Sequence, residues 1–465
     1  ENITITGGTV TATGGSSGAG IGGGREGKGE NITITGGSSG SGENITINGG
    51  EVTASGGDNW DDCGAGIGGG NGGVGKNITI TGGTVNATGG YGGGAAGIGG
   101  AFANGENITI TGGTVNAAGS YFDHGMGAGI GGGGNSSGNN ITITGGTVNV
   151  TGGYGGGAGI GGGAEGGGGN NITIKGGTVT ATGGGYRGNS GAGIGGGSSG
   201  SGENITINDG KVTATGGSYA AGIGGGSVGA WGGDAGSGKN ITINGGTVNA
   251  TGTDGGAGIG GGVNGIGSKV TVSGAAQVTA TATGSGPDWS GVGTGATIGN
   301  GGSKTPDGPV DGKEIQADIS HLTTGYIHHI IYNPDLDLDG KPDGILKEWW
   351  EFALPKPIPD GESLDLHVET LKGAPLLFNT RQQGSTLRVT TDNLSARLHG
   401  TRQALETLQE QGVEQIQFVT TLKTTTLSVE DLLAEGGSWF ALEHDGLVSR
   451  RLSAAQAESL KCWRH

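Results

Sequence analysis

The sequence predicts an all-β parallel β-helix of three strands per coil and about nine coils, followed by a mixed α/β C-terminal region. Three observations carry that expectation. The tetrapeptide Asn-Ile-Thr-Ile begins at Asn2, Asn31, Asn44, Asn77, Asn107, Asn140, Asn171, Asn204 and Asn240, at spacings of 29, 13, 33, 30, 33, 31, 33 and 36 residues. Self-similarity at such a period marks a solenoid or an array. Within each unit, Ile or Val alternates with Thr over two short segments, Ile3/Ile5 and then Val10/Ala12 in the first unit. That is the period of a strand with one face buried. Finally, 122 glycines in 465 residues and an apolar fraction of 31% would spell disorder without a period. With one, small inward residues suffice, because backbone ladders between coils supply the cohesion.

Taken in order, each coil has a first strand (Asn-Ile-Thr-Ile), a second (as in Thr9-Val-Thr-Ala-Thr13) and a third, as in Ala19-Gly-Ile21-Gly, with Gly-Gly pairs such as Gly7-Gly8 at the corners. No coil buries enough apolar surface to offset its own ordering, so the stack folds together. Residues 30–42 form an irregular short coil, since Glu30 to Gly42 is too short to circle the perimeter. An aromatic residue recurs after the second strand: Trp60, Tyr91, Tyr121, Tyr154, Tyr186 and Tyr219 lie 14 to 16 residues past their coil's Asn, which predicts a column down one edge. A looser copy of the first strand, Lys269-Val-Thr-Val272, opens a decayed terminal coil at 268–302, which closes the solenoid (1–302) ahead of a linker at 303–310. Beyond it the vocabulary changes to charges, Leu and seven of the eight histidines, which defines a mixed α/β region at 311–465 of one or two small domains. There Tyr326–Tyr332, Leu364–Val368, Ser385–Thr390, Ile416–Thr420 and Trp439–Leu442 read as strands, and Thr401–Glu410 as a helix stopped at Gly412.

A net charge of -17 argues against nucleic acid and anionic membranes as partners. No apolar run reaches transmembrane length, so membrane insertion is not expected. Cys63 and Cys462, the two cysteines, are expected as free thiols rather than a disulfide framework. Glu1 already occupies a repeat position, so the chain reads as a mature or trimmed product.

Chemistry is sparse. Asp335-Leu-Asp337-Leu-Asp339-Gly340-Lys-Pro-Asp343 has alternate carboxylates and a turn glycine, the pattern by which a loop wraps oxygen ligands around Ca2+. Leu346 stands where such loops often place a chelating Glu, and Glu348 comes two residues later. The third strand, outwardly almost all glycine, has two readings: a flat sheet open to close approach, or small residues fitted to a crowded corner. The aromatic column either stacks on sugar rings or packs on itself. Outward Thr arrays are broken by Asn86, Asn116, Asn149 and Asn249. Carboxylates are isolated except Asp58, Asp61 and Asp62, with Asp123 and His124 two coils on, and read as solvated loop residues; no enzymatic site is expected. His328 and His329, adjacent on a strand, point to opposite faces.

The Asp335–Asp343 stretch resembles the thrombospondin type 3 calcium loop. Residues 1–300 resemble Gly/Thr-rich parallel β-helix surface proteins of anaerobic Gram-positive bacteria, and the Thr arrays resemble the ice-binding face of antifreeze solenoids. The resemblance to surface proteins implies a secreted, cell-surface, non-enzymatic protein. In the leading reading it self-associates head to tail into filaments or a surface layer. The alternative is a polysaccharide-binding adhesin using the aromatic column, and a remote one is ice binding.

Overall fold

The computed structural model describes residues 3–15, 18–23, 40–57, 62–121, 125–186, 188–228, 235–284, 291–334, 343–352, 365–374, 376 and 378–460. It divides into two units, Glu1–Phe352 and Ala353–His465.

The first unit is a solenoid of three parallel sheets. The first sheet stacks nine strands, from Ile3–Ile5 to Gly267–Val272. The third stacks nine two-residue strands, from Ile21–Gly22 to Ile298–Gly299. The coils are in strict register: Ile108 lies between Ile78 and Ile141, and Val115 between Val85 and Val148. Inward Ile, Val and Ala form one continuous column-built core in which most side chains are fully buried. The strand Ile3–Ile5 pairs directly with Gly42–Ile47, and the irregular short coil expected at 30–42 lies, up to residue 39, outside the described residues.

The leading Asn of the repeat is not an ordinary strand residue. Asn44, Asn77, Asn107, Asn140, Asn171, Asn204 and Asn240 all take left-handed backbone, with φ of 54–57°. Asn tolerates that region better than any other residue with a Cβ. The amides then form a ladder: each Nδ2 from Asn77 to Asn240 donates to Oδ1 of the coil before it at 3.0–3.2 Å. Lys269 adopts the same φ of 54° without an amide and ends the ladder.

One open reading is decided and one expected boundary needs correction. The third strand's glycines are no open surface. Gly68, Gly99, Gly131 and Gly161 are buried, at φ of 133–140°, and a Cβ there would meet the next coil's carbonyl oxygen at 1.9–2.0 Å. Of the two readings, the crowded corner holds. The solenoid also runs past the expected boundary at 310. Residues 303–310 make a small hairpin (Ser303–Thr305 with Gly308–Val310). Tyr326–Tyr332 then adds a tenth parallel rung to the second sheet on Gln277–Thr283, and Ile345–Phe352 pairs antiparallel on it. Residues 312–323 close the other two sheets: Asp318 bridges Thr271, and Glu314 bridges Gly299. The boundary was misplaced because Tyr326–Tyr332 keeps the strand period while exchanging Thr and Ala for aromatics and histidine.

The second unit carries two four-stranded sheets. One orders Leu366–Glu369, Ser395–Thr401, Trp439–Asp445 and Val448–Arg451; the other orders Asn379–Gln383, Thr386–Thr390, Gln415–Val419 and Thr424–Ser428. Helices α1 (Arg402–Glu410), α2 (Val429–Ala434) and α3 (Ala454–Ser459) are N-capped by Thr401, Ser428 and Ser453. Both sheets, α1 and α2 share one core around Val389, Leu398, Leu405, Phe418, Leu432 and Leu442. Arg397 is buried between Glu369 and Glu443, at 2.8 and 2.7 Å.

Candidate functional site

The outward side of the second sheet is built from three side-chain columns. The middle one reads Thr53, Asn86, Asn116, Asn149, Thr180, Thr213 and Asn249; the last reads Ser55, Thr88, Ala118, Thr151, Thr182, Thr215 and Thr251. Ala118 stands where its neighbours above and below, Thr88 and Thr151, each carry a hydroxyl and a methyl. Around that dent lies a shallow groove of about 410 Å³, lined by Asn86, Asn116, Ala118, Asn149, Thr151 and Thr182 among others. Asn116 Nδ2 donates to Asn86 Oδ1 at 2.8 Å, and Asn149 Nδ2 to Asn116 Oδ1 at 3.0 Å. This fixes the amides in one orientation and leaves each donor amide a second N–H to offer outward.

The groove's four coils are those of Tyr91, Tyr121, Tyr154 and Tyr186, which follow Thr88, Ala118, Thr151 and Thr182 by three or four residues. Tyr121 and Tyr154 have ring centroids 6.2 Å apart, and Tyr154 stacks on Tyr186 at 4.7 Å and 26°. The corners are tied beneath them. Buried Ser120 exchanges hydrogen bonds with the backbone of Ala95, its Oγ accepting from N at 3.0 Å and donating to O at 2.9 Å. Tyr154 N–H donates to Ser120 O at 3.3 Å. Tyr186 sits on a short strand, Gly185–Tyr186, paired with Asn189–Ser190. Tyr121 is 75% exposed, and Tyr91 and Tyr154 are 40% and 37% exposed. Tyr219 is half-buried at a left-handed φ of 72°.

A family model described as a beta helix repeat matches residues 3–25, 45–71, 78–102, 108–134, 141–164, 172–198, 205–227 and 241–263. Those stretches are coils of the stack just described. The chain is a parallel β-helix repeat protein. No curated protein and no solved structure matches it.

Trp60, Asp335, Asp337, Asp339, Asp58, Asp61, Asp123, His124 and Cys462 lie outside the described residues. Asp343 stands just before the last strand, its carbonyl accepting from Asn333 Nδ2 at 3.4 Å. Asn333 N–H donates to Gly344 O at 3.0 Å, so the acidic loop is the connection of the hairpin that closes the β-helix. Among the described residues no group of three or more His, Cys, Asp and Glu could hold a metal ion. No helix among them is long and apolar enough to cross a membrane. Cys63 is buried, and burial pushes its thiol up to about 12. His328 and His329 do face opposite ways: His328 Nε2 meets Glu348 at 2.7 Å on the outer side, and His329 is 2% exposed. The sequence missed the groove, because a dent is visible only once the coils are aligned column by column; aligned, Ala118 marks it.

Proposed function

We propose that this β-helix is an extracellular, non-enzymatic adhesin that binds an extended neutral polysaccharide on its second sheet. The observation that carries the reading is the coincidence of groove and column: the coils that line an uncharged amide and hydroxyl groove also carry the stacked tyrosines. Aromatic faces suit the C–H faces of sugar rings, and fixed amides and hydroxyls suit their hydroxyl groups. The lining holds no charged side chain, and a chain of net charge -17 repels anionic polymers, which selects neutral ones. Non-enzymatic character rests on the same lining, which offers no acid or base to a bound chain.

Retention on microcrystalline cellulose, chitin and insoluble mannan tests the reading. The protein should be held by at least one of them, and Tyr154→Ala and Tyr186→Ala should each weaken retention about tenfold, the worth of one aromatic contact. Loss of melting temperature with unchanged retention would make the column a packing device instead.

Head-to-tail assembly is the second reading. Its support is general: a parallel β-helix pairs strand on strand along its axis, and a second copy in the same register extends that pairing. Docking along the glycine strand drops out, because that strand is buried. Filaments in negative stain that vanish when residues 1–42 are removed would favour it. Ice binding is the weakest reading, since Glu51 and Lys211 interrupt the first outward column and Ala118 the last.

A further inference from the structure

The end of the β-helix holds a buried polar chain that the glycan reading does not use. Thr297, fully buried beside the last strand of the third sheet, places Oγ1 3.0 and 3.1 Å from the two carboxylate oxygens of Glu314 and 2.6 Å from His329 Nδ1. Glu314 also accepts the backbone N–H of Thr297 and of Ile298, at 2.6 and 3.1 Å. The His329 ring stacks on Trp349 at 4.4 Å. Its other nitrogen, Nε2, has no hydrogen-bond partner and lies 3.6 Å from Glu351 Oε1. Glu351 Oε2 accepts from Gln316 at 2.8 Å.

Counting hydrogens shows what is missing. Burial raises Glu314, and the two backbone N–H groups it accepts oppose that by favouring the carboxylate; with Glu314 ionised, the single Thr297 hydroxyl hydrogen goes to it. His329 Nδ1 must then carry a hydrogen and donate it to Thr297 Oγ1. That leaves Nε2 a bare lone pair, aimed at another acceptor when Glu351 is ionised. One proton between them turns an acceptor–acceptor contact into a hydrogen bond.

We propose that His329 and Glu351 share one titratable proton, which latches the last strand, Ile345–Phe352, onto the end of the β-helix. With the proton present, Glu351 donates to His329 Nε2; without it, the two groups repel and the strand loosens. The other groups facing the pair are Lys347 and Trp349 on that strand, His328 on its neighbour, and Glu314 and Gln316 on the closing segment. His328 is occupied by Glu348 on the outer face. The electrostatics agree with the proton residing on the carboxyl: burial raises Glu351, and the nearby Glu314 adds to that, whereas burial lowers His329 to about 4.

The signs then oppose. Glu351, raised when folded, contributes stability that is fully present below its unfolded value and is lost as pH rises through its folded one. His329, lowered when folded, contributes stability that is lost as pH falls from 6.5 towards about 4. A bulk stability curve therefore partly cancels, and the test must be local. Glu351→Gln is the discriminating variant, because its amide N–H donates to Nε2 at every pH at which His329 is neutral. In the full chain, amide exchange of residues 345–352, corrected for its intrinsic pH dependence, should quicken as Glu351 deprotonates. The His329 Nε2 and Glu351 carboxyl-carbon resonances should shift together with one midpoint. In Glu351→Gln the exchange should stay slow and lose that step. If Glu351 titrates at an ordinary carboxylate value while Nε2 does not move, or if Glu351→Gln exchanges as the parent does at all pH values, the latch is wrong.

Discussion

Asn140 shows how one residue type serves two demands of this fold. Its backbone is left-handed, at φ 56°, and its amide both donates to Asn107 and accepts from Asn171, each at 3.1 Å. The two demands separate by substitution. Asn140→Ala loses the ladder and pays the left-handed penalty, together about 2 kcal/mol. Asn140→Gly keeps the backbone free and gives up the ladder, at about 1 kcal/mol. Urea midpoints of the solenoid transition should therefore rank parent above Gly above Ala. Gly161 makes a harsher demand, because a Cβ would stand 2.0 Å from Gly195 O at φ 133°. Gly161→Ala should destabilise the stack by roughly 3 kcal/mol through backbone displacement, read in the same denaturation.

Among elements, the first two strands of every coil were legible, because Ile, Val and Thr alternate with nothing to contradict the period. The Asn that opens each coil was legible as an outward residue but not as a left-handed one, since its Ile-Thr neighbours carry no turn signal. The third strand gave its core residues but not its glycines' role: hydrogens facing out and hydrogens facing a neighbour's carbonyl spell the same sequence. Of the aromatic column expected from the offset, Tyr121, Tyr154 and Tyr186 come together. The groove in the same coils was not legible, because it depends on one Ala in a column of Thr. The closing hairpin was hidden for the opposite reason, a change of residue types over an unchanged period.

For the whole molecule, the position of that hairpin alters what calcium would do. The acidic loop joins Tyr326–Tyr332 to Ile345–Phe352, both of them strands of the second sheet. If Asp335, Asp337, Asp339 and Asp343 bind Ca2+, chelator should lower the melting temperature of the solenoid and leave the 353–465 unit alone, by a few degrees if the site is saturated. No shift with chelator, and none on Asp337→Ala, would remove calcium from the account. Within the second unit, truncating Arg397 leaves Glu369 and Glu443 buried without their partner and should cost about 3 kcal/mol.

The central claim is that function lies in the outward columns of the second sheet, and Ala118→Thr tests it most directly. Threonine is what the coils on either side already carry at that position, in Thr88 and Thr151, so the fold should accept it with no loss of melting temperature. Its side chain would fill the dent and, on this account, reduce retention on the bound glycan at least tenfold, or about 1.4 kcal/mol. Unchanged retention by Ala118→Thr, with Tyr154→Ala still defective, would move binding from the groove to the tyrosine edge alone. No retention of the parent protein on any neutral glycan would contradict the claim outright.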